Sequence, residues 1–144
     1  MGGAVEQKRS AYVSEAAPVK KYLLDTCVFL WAVREPKRLS RRAKRALESN
    51  AQSLLSPASA WEIIAKSEKL KLHGVASNWI DTNRRSLLLD WLPIYGEHML
   101  QLESLPPVHY DPFDRILIAQ AIHEGVTLIT PDEHIQGYPV EALW

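Results

Sequence analysis

Asp111-Pro112-Phe113-Asp114-Arg115-Ile116-Leu117-Ile118-Ala119-Gln120-Ala121-Ile122-His123-Glu124-Gly125-Val126-Thr127-Leu128-Ile129-Thr130-Pro131-Asp132 reads as a helix, a stop, a strand and a second cap in direct succession. Asp111 followed by Pro112 is an N-cap with proline at the first helical position, where its missing N–H removes no helical hydrogen bond. Asp114 stands where the acid of a capping box belongs. Gly125 is the expected terminator, because glycine adopts the left-handed backbone that ends helices. Val126-Thr127-Leu128-Ile129 is a clear strand, rich in β-branched residues. Thr130-Pro131-Asp132-Glu133 then repeats the cap–proline–acid pattern, with Thr130 as the expected cap and Glu133 as its partner.

The same alternation extends upstream. Tyr22-Leu23-Leu24 is a buried strand candidate ending at Asp25, and a helix through Val28 to Ala32 stops before Pro36. Ser40 caps a basic helix over Arg41 to Glu48, and Ser53-Leu54-Leu55 is a second strand. Ser56-Pro57 opens a helix through Trp61 and Glu62 to about Lys69, and Ser77 is placed as the cap of the next. Leu88 to Ile94 is the third strand region, Glu97 to Leu105 a helix, and Val140 to Leu143 a final strand. Strands and helices in alternation imply an α/β domain with a mainly parallel sheet covered by helices on both faces. Ligands of such sheets gather at the carboxyl ends of the strands, near a reversal of strand order. Asp25 and Asp132 both follow strands, so an acidic cleft is expected at that edge.

Composition narrows the function classes. The chain has 144 residues, enough for one domain, and 47% of them are hydrophobic, enough for a core. Lys plus Arg and Asp plus Glu both number 17, so a globally basic nucleic-acid binder is excluded and any such binding rests on local clusters. Cys27 is the single cysteine; no internal disulfide can form, and a reducing cytoplasm is the simplest compartment. No apolar run is long enough to span a bilayer. Residues 1–19 read as a flexible polar extension of a domain covering 20–144.

Each acid has a bland explanation. Asp25-Thr26 can end a strand and cap a helix, and Glu62 can pair with Lys66 one turn later. Capping accounts well for Asp111 and Glu133, partly for Asp114, and hardly for Asp132. Jointly, the four acids Asp25, Glu62, Asp114 and Asp132 lie at strand ends or helix starts of separate αβ units. If folding gathers them, their mutual repulsion is relieved by a divalent cation with a preference for oxygen, which can polarise a phosphodiester and activate water.

Leu23-Leu24-Asp25-Thr26, Ser59-Ala60-Trp61-Glu62-Ile63, Asp111 to Ala121 and Leu128-Ile129-Thr130-Pro131-Asp132 resemble, in order and spacing, the motifs of PIN-domain nucleases, closest to the VapC-like toxin branch. The resemblance runs from about Lys20 to Trp144. It implies a PIN-like three-layer αβα sandwich, with Asp25, Glu62, Asp114 and Asp132 holding one or two Mg²⁺ or Mn²⁺ ions. It further implies cleavage of single-stranded RNA to a 5′-phosphate and a 3′-hydroxyl, an antitoxin protein as partner, and a homodimer. Thr26 and Thr130 match hydroxyl positions that support the carboxylates or a water. Pro131 departs from the basic or polar residue that relatives often carry there.

Other residues have candidate roles. Lys37, Arg38, Arg41, Arg42, Lys44 and Arg45 form the densest basic stretch, either a solvated helix face or a phosphate-contacting rim. Arg115 can touch a phosphate or pair with Asp111. Cys27 lacks a basic partner for nucleophilic chemistry and reads as a small core residue. The five histidines lack zinc spacing; His109 is distinguished only by preceding the Asp111–Asp114 motif. Trp31, Trp61, Trp79 and Trp91 fall in apolar patterns and read as core or interface, and apolar surface on the first helix can receive an antitoxin segment. The rivals are a PIN-fold module that binds RNA or protein without cutting, and an aspartyl-phosphate phosphatase. The second needs an acid two residues after its nucleophile, where Cys27 stands.

Overall fold

The computed structural model describes residues 20–107 and 111–144; the N-terminal extension and His109 lie outside them. Strands β1 (Lys21–Leu24), β2 (Gln52–Leu55), β3 (Asp90–Trp91), β4 (Thr127–Ile129) and β5 (Ala142–Leu143) form one sheet in the order β3-β2-β1-β4-β5. Every neighbouring pair is parallel. The helices are α1 (Thr26–Arg34), α2 (Arg41–Glu48), α3 (Pro57–Ala65), α4 (Ala76–Ser86), α5 (Gly96–Gln101) and α6 (Pro112–Glu124).

Strand side chains alternate between faces, and the core divides accordingly. Leu23, Leu54 and Leu128 pack with Ile116, Leu117 and Ile118 of α6 on one face. Leu24, Leu55 and Ile129 pack with Val28 and Phe29 of α1, Ala43 of α2, Ile63 of α3 and Ile80 of α4 on the other. This is the three-layer αβα sandwich expected from the pattern. Each buried Leu or Ile contributes roughly 1.5–3 kcal/mol, so the central strands, apolar on both faces, anchor the fold.

Local punctuation forms where the sequence places it. Ser40 Oγ accepts from the Ala43 amide and Ser56 Oγ from the Ala58 amide, each at 3.0 Å. Asp111 Oδ1 accepts from the Phe113 and Asp114 amides at 2.9 and 3.3 Å, and Gly125 ends α6 with φ of 66°.

Several boundaries differ. Ser77 lies inside α4, whose N-cap is Val75 with no side-chain cap bond. Helix α3 ends at Ala65, and the chain continues in turns to Lys71, whose φ is 55°. The third strand contracts to Asp90–Trp91, because Leu88 takes φ of 57° on one side and Pro93 has no amide to donate on the other. Glu97 to Leu105 divides into α5 and a tight helical turn over Leu102–Ser104. Asp132, not Thr130, caps the turn over Glu133–Gly137, accepting from the His134 amide at 2.9 Å.

Candidate metal centre

The chain builds β1, β2 and β3 outward in one direction, then returns to lay β4 on the other side of β1. The reversal leaves a crevice beyond the carboxyl ends of β1 and β4, where parallel sheets bind ligands. Asp25 leaves β1 there and Thr130 leaves β4. Their backbones are joined by the Asp25 amide donating to the Ile129 carbonyl at 3.0 Å. Thr130 Oγ1 donates to Asp25 Oδ2 at 2.6 Å and accepts from the Asp132 amide at 3.1 Å. One threonine thus fixes the first acid and the loop that carries the last.

The other two acids come from helices. Glu62 lies in α3 and Asp114 in the first turn of α6, which pack against one another. Thr26 Oγ1 donates to Ser59 Oγ at 2.9 Å in a buried contact that ties the start of α1 to α3 and so sets Glu62 against Asp25. The four acids line a single cleft of about 450 Å³, with Thr26, Cys27, Leu30, Lys66, Lys69, Leu70, Asp111 and Pro131 around them.

Electrostatics within the cleft are strained in the way a cation relieves. Asp25 is 7% exposed, and burial raises its pKa above the usual carboxylate value. Hydrogen bonds from Thr130 and the Thr26 amide oppose that rise, while the charges of Glu62 and Asp132 add to it. Glu62 has its Oε2 on the Lys66 ammonium at 2.7 Å, yet its Oε1 is sealed from solvent with no protein hydrogen-bond partner. A buried carboxylate oxygen left so is costly unless an ion or water completes it. The residues present therefore fit a divalent cation: hard oxygen donors, several formal negative charges, and one donor atom still to be satisfied.

Other expected residues lie elsewhere. Arg115 does not line the acid cleft; it donates to the carbonyls of Leu102 and Pro106 and to the Tyr138 hydroxyl. Arg41, Arg42 and Arg45 are exposed on α2 and do not line the cleft; Arg42 reaches the Trp144 carbonyl at 3.5 Å. The positive charge beside the acids comes instead from Lys66 and Lys69. Lys66 was visible in the sequence only as an i,i+4 partner of Glu62, and its place in the cleft depends on tertiary packing. Cys27 is half-buried at the cleft wall; burial and the nearby Asp25 push its thiol well above the ordinary range, which leaves it neutral and a poor nucleophile. Trp61 is 59% exposed and meets Phe113 edge to face at 5.0 Å, so it is a surface residue rather than core.

A second group of metal-ligating side chains, His98, His123 and Glu124, has its donor atoms within 4.8 Å of one another. His98 is fully buried, and its Nδ1 accepts the Tyr95 amide hydrogen at 2.9 Å. The neutral ring must then carry its proton on Nε2, which faces Glu124 at 3.3 Å. Ligating a metal through His98 would therefore cost the buried Tyr95 hydrogen bond or the ring's remaining proton. This cluster is structural.

A profile of the PIN domain matches residues 22–140. Ribonuclease VapC22 of Mycobacterium tuberculosis is 30% identical over an alignment covering 81% of this chain and 90% of that protein. Among solved structures, VapBC2 of Rickettsia felis bound to a promoter DNA fragment superposes with a TM-score of 0.68 at 16% identity, covering 86% of this chain and 98% of that one. FitAcB of Neisseria gonorrhoeae superposes with a TM-score of 0.62 at 20% identity, covering 85% and 96%. At these identities the two structural likenesses speak for the fold.

Proposed function

Since this chain belongs to the PIN-domain family, we propose that it is a metal-dependent ribonuclease acting as the toxin of a type II toxin–antitoxin pair. The observation that carries the chemistry is the Glu62 Oε1 atom, buried and unpartnered in a cleft where Asp25, Asp114 and Asp132 converge. The ribonuclease VapC22 likeness supports RNA as the substrate. Asp25, Glu62, Asp114 and Asp132 hold Mg²⁺ or Mn²⁺, one or two ions, through hard oxygen donors. A cation so held would supply Lewis acidity toward a phosphodiester and, by lowering the pKa of water, would make a nucleophile available at neutral pH.

The protein's own groups prepare that site. Thr130 orients Asp25, the Thr26–Ser59 contact positions α3, and the Asp111 cap holds the first turn of α6. Lys66 and Lys69 place positive charge where an RNA backbone enters an otherwise anionic cleft. An antitoxin is the expected protein partner, in line with the toxin–antitoxin complexes of similar fold. A groove of about 310 Å³ along α1, lined by Leu30, Trp31 and Leu70 with Arg34, Arg38 and Lys69, runs into the acid cleft through Leu30, Lys69 and Leu70. A segment laid in that groove reaches the metal ligands. A homodimer belongs to the same reading, supported by apolar surface left exposed at Trp61 and Ile64 on α3 and at Met99 and Leu100 on α5. Among the described residues no helix is long and apolar enough to cross a membrane, and a cytoplasmic site of action is part of the proposal.

The test is cleavage of single-stranded RNA with Mg²⁺ or Mn²⁺, with chelator, and with Asp25→Asn combined with Asp114→Asn. Cleavage that needs metal and is lost in the double variant supports the reading; cleavage unaffected by the substitutions sinks it. RNA binding without cutting would favour the non-catalytic module.

A further inference from the structure

Lys66 sits where the cleft needs a cation. Its ammonium lies 2.7 Å from Glu62 Oε2 and 6.0 Å from the Phe113 ring centroid, on the wall shared with Asp111 and Asp114. The Glu62 side chain is 12% exposed while the Lys66 side chain is 46% exposed. One partner of the pair is therefore anchored and the other is a flexible stem that can swing into solvent. An i,i+4 pair with one end this exposed is a weak contact that yields readily to a stronger ligand. On the far side of the same carboxylate, Oε1 waits without a partner.

We infer that Lys66 is the resident counter-ion of the cleft: it holds Glu62 by Oε2 in the metal-free protein, gives that carboxylate up to an incoming divalent cation, and once released contacts an RNA phosphate. The last step rests on the ribonuclease reading; the exchange at Glu62 rests on geometry. An ammonium and a divalent ion on one carboxylate repel each other, and the repulsion doubles with the charge of the ion. Displacement of Lys66 from Glu62 thus relieves the repulsion at little cost. Lys69 lines the same cleft but is not the lysine seated on Glu62, so it separates exchange at one carboxylate from the effect of bulk charge. Lys66 is a positioning residue toward the metal, acting through Glu62.

The experiment is calorimetric titration of the full chain with Mn²⁺ in the absence of RNA, for wild type, Lys66→Met, Lys66→Arg and Lys69→Met. Lys66→Met is expected to bind Mn²⁺ about threefold more tightly, the scale of a half-exposed ion pair, and Lys69→Met to match wild type. Lys66→Arg restores the wild-type value. At saturating Mn²⁺, Lys66→Met raises KM for single-stranded RNA about tenfold with a smaller change in kcat. Mn²⁺ binding no tighter in Lys66→Met, or tightened equally in Lys69→Met, overturns the exchange. A wild-type protein that binds no Mn²⁺ overturns both the exchange and the metal reading. One that shows the expected Mn²⁺ pattern but cleaves no RNA upholds the exchange and overturns only the ribonuclease reading.

Discussion

Helix α6 carries Asp114 in its first turn and Glu124 in its last, about 15 Å apart along the axis at 1.5 Å per residue. Each end belongs to a cluster of metal-ligating side chains, and the two clusters treat their donor atoms in opposite ways. At the Glu124 end, the nitrogens of His98 are spent: Nδ1 on the Tyr95 amide and Nε2 on Glu124. At the Asp114 end, a buried oxygen of Glu62 is left over, and Asp25 is held as a carboxylate in surroundings that penalise its charge. Proximity of ligand types is common to both. A carboxylate oxygen left without a partner distinguishes the acid cleft from the histidine cluster.

The contrast can be broken in several places. The largest effect is expected for Asp25→Asn with Asp114→Asn. Loss of surrounding partners alone typically costs 10–100-fold, so removing two ligand charges should lower RNA cleavage by more than about 100-fold. Residual cleavage at wild-type rate in a Mg²⁺ assay would break the comparison at once. Thr130→Val comes next. It removes the hydroxyl that bonds Asp25 and receives the Asp132 amide, and should weaken Mn²⁺ binding by about 10-fold or more with the fold intact by circular dichroism.

At the other end of α6, His98→Ala should lower stability by about 2 kcal/mol, since it empties a buried position and strips the Tyr95 amide of its acceptor. Its Mn²⁺ affinity should match wild type in the same calorimetric titration. A large loss of metal binding there would invert the roles of the two clusters.

The smallest effect is on the stability of the metal-free protein. Burial raises the pKa of Asp25, so the folded state keeps that proton to a higher pH than the unfolded chain does. Stability contributed by the site therefore falls as pH rises through the window between the two values. Asp25→Asn is neutral throughout and should raise Tm at neutral pH. The gain should vanish in acid, where the wild-type carboxyl is itself protonated. Thermal scans with chelator across that range check the sign.

What the sequence makes legible follows the range of the interactions. Ser40, Ser56, Asp111 and Gly125 act on amides or carbonyls a few residues away, and each stands at its helix end as read. The αβ alternation is similarly local, because paired leucines such as Leu23-Leu24 and Leu54-Leu55 serve both faces of the sheet. That Asp25 and Asp132 emerge at one edge follows from this alternation together with the strand reversal. Thr130 reads locally as a cap, and only the family resemblance gives it a carboxylate to support; that carboxylate, Asp25, is far away in sequence and is brought to it by the β1–β4 pairing. Arg115 beside Asp114 suggested a phosphate contact, but loop carbonyls at Leu102 and Pro106 claim its guanidinium. The basic run on α2 is dense in sequence but lies outside the cleft, whereas the lysines in the cleft are two scattered residues positioned by the turn after α3.

The most direct measurement is anomalous diffraction from crystals grown or soaked with Mn²⁺. The predicted result is a peak within coordination distance of Asp25, Glu62, Asp114 and Asp132 carboxylate oxygens. A peak between His98, His123 and Glu124, with the acid cleft empty at saturating Mn²⁺, would contradict it.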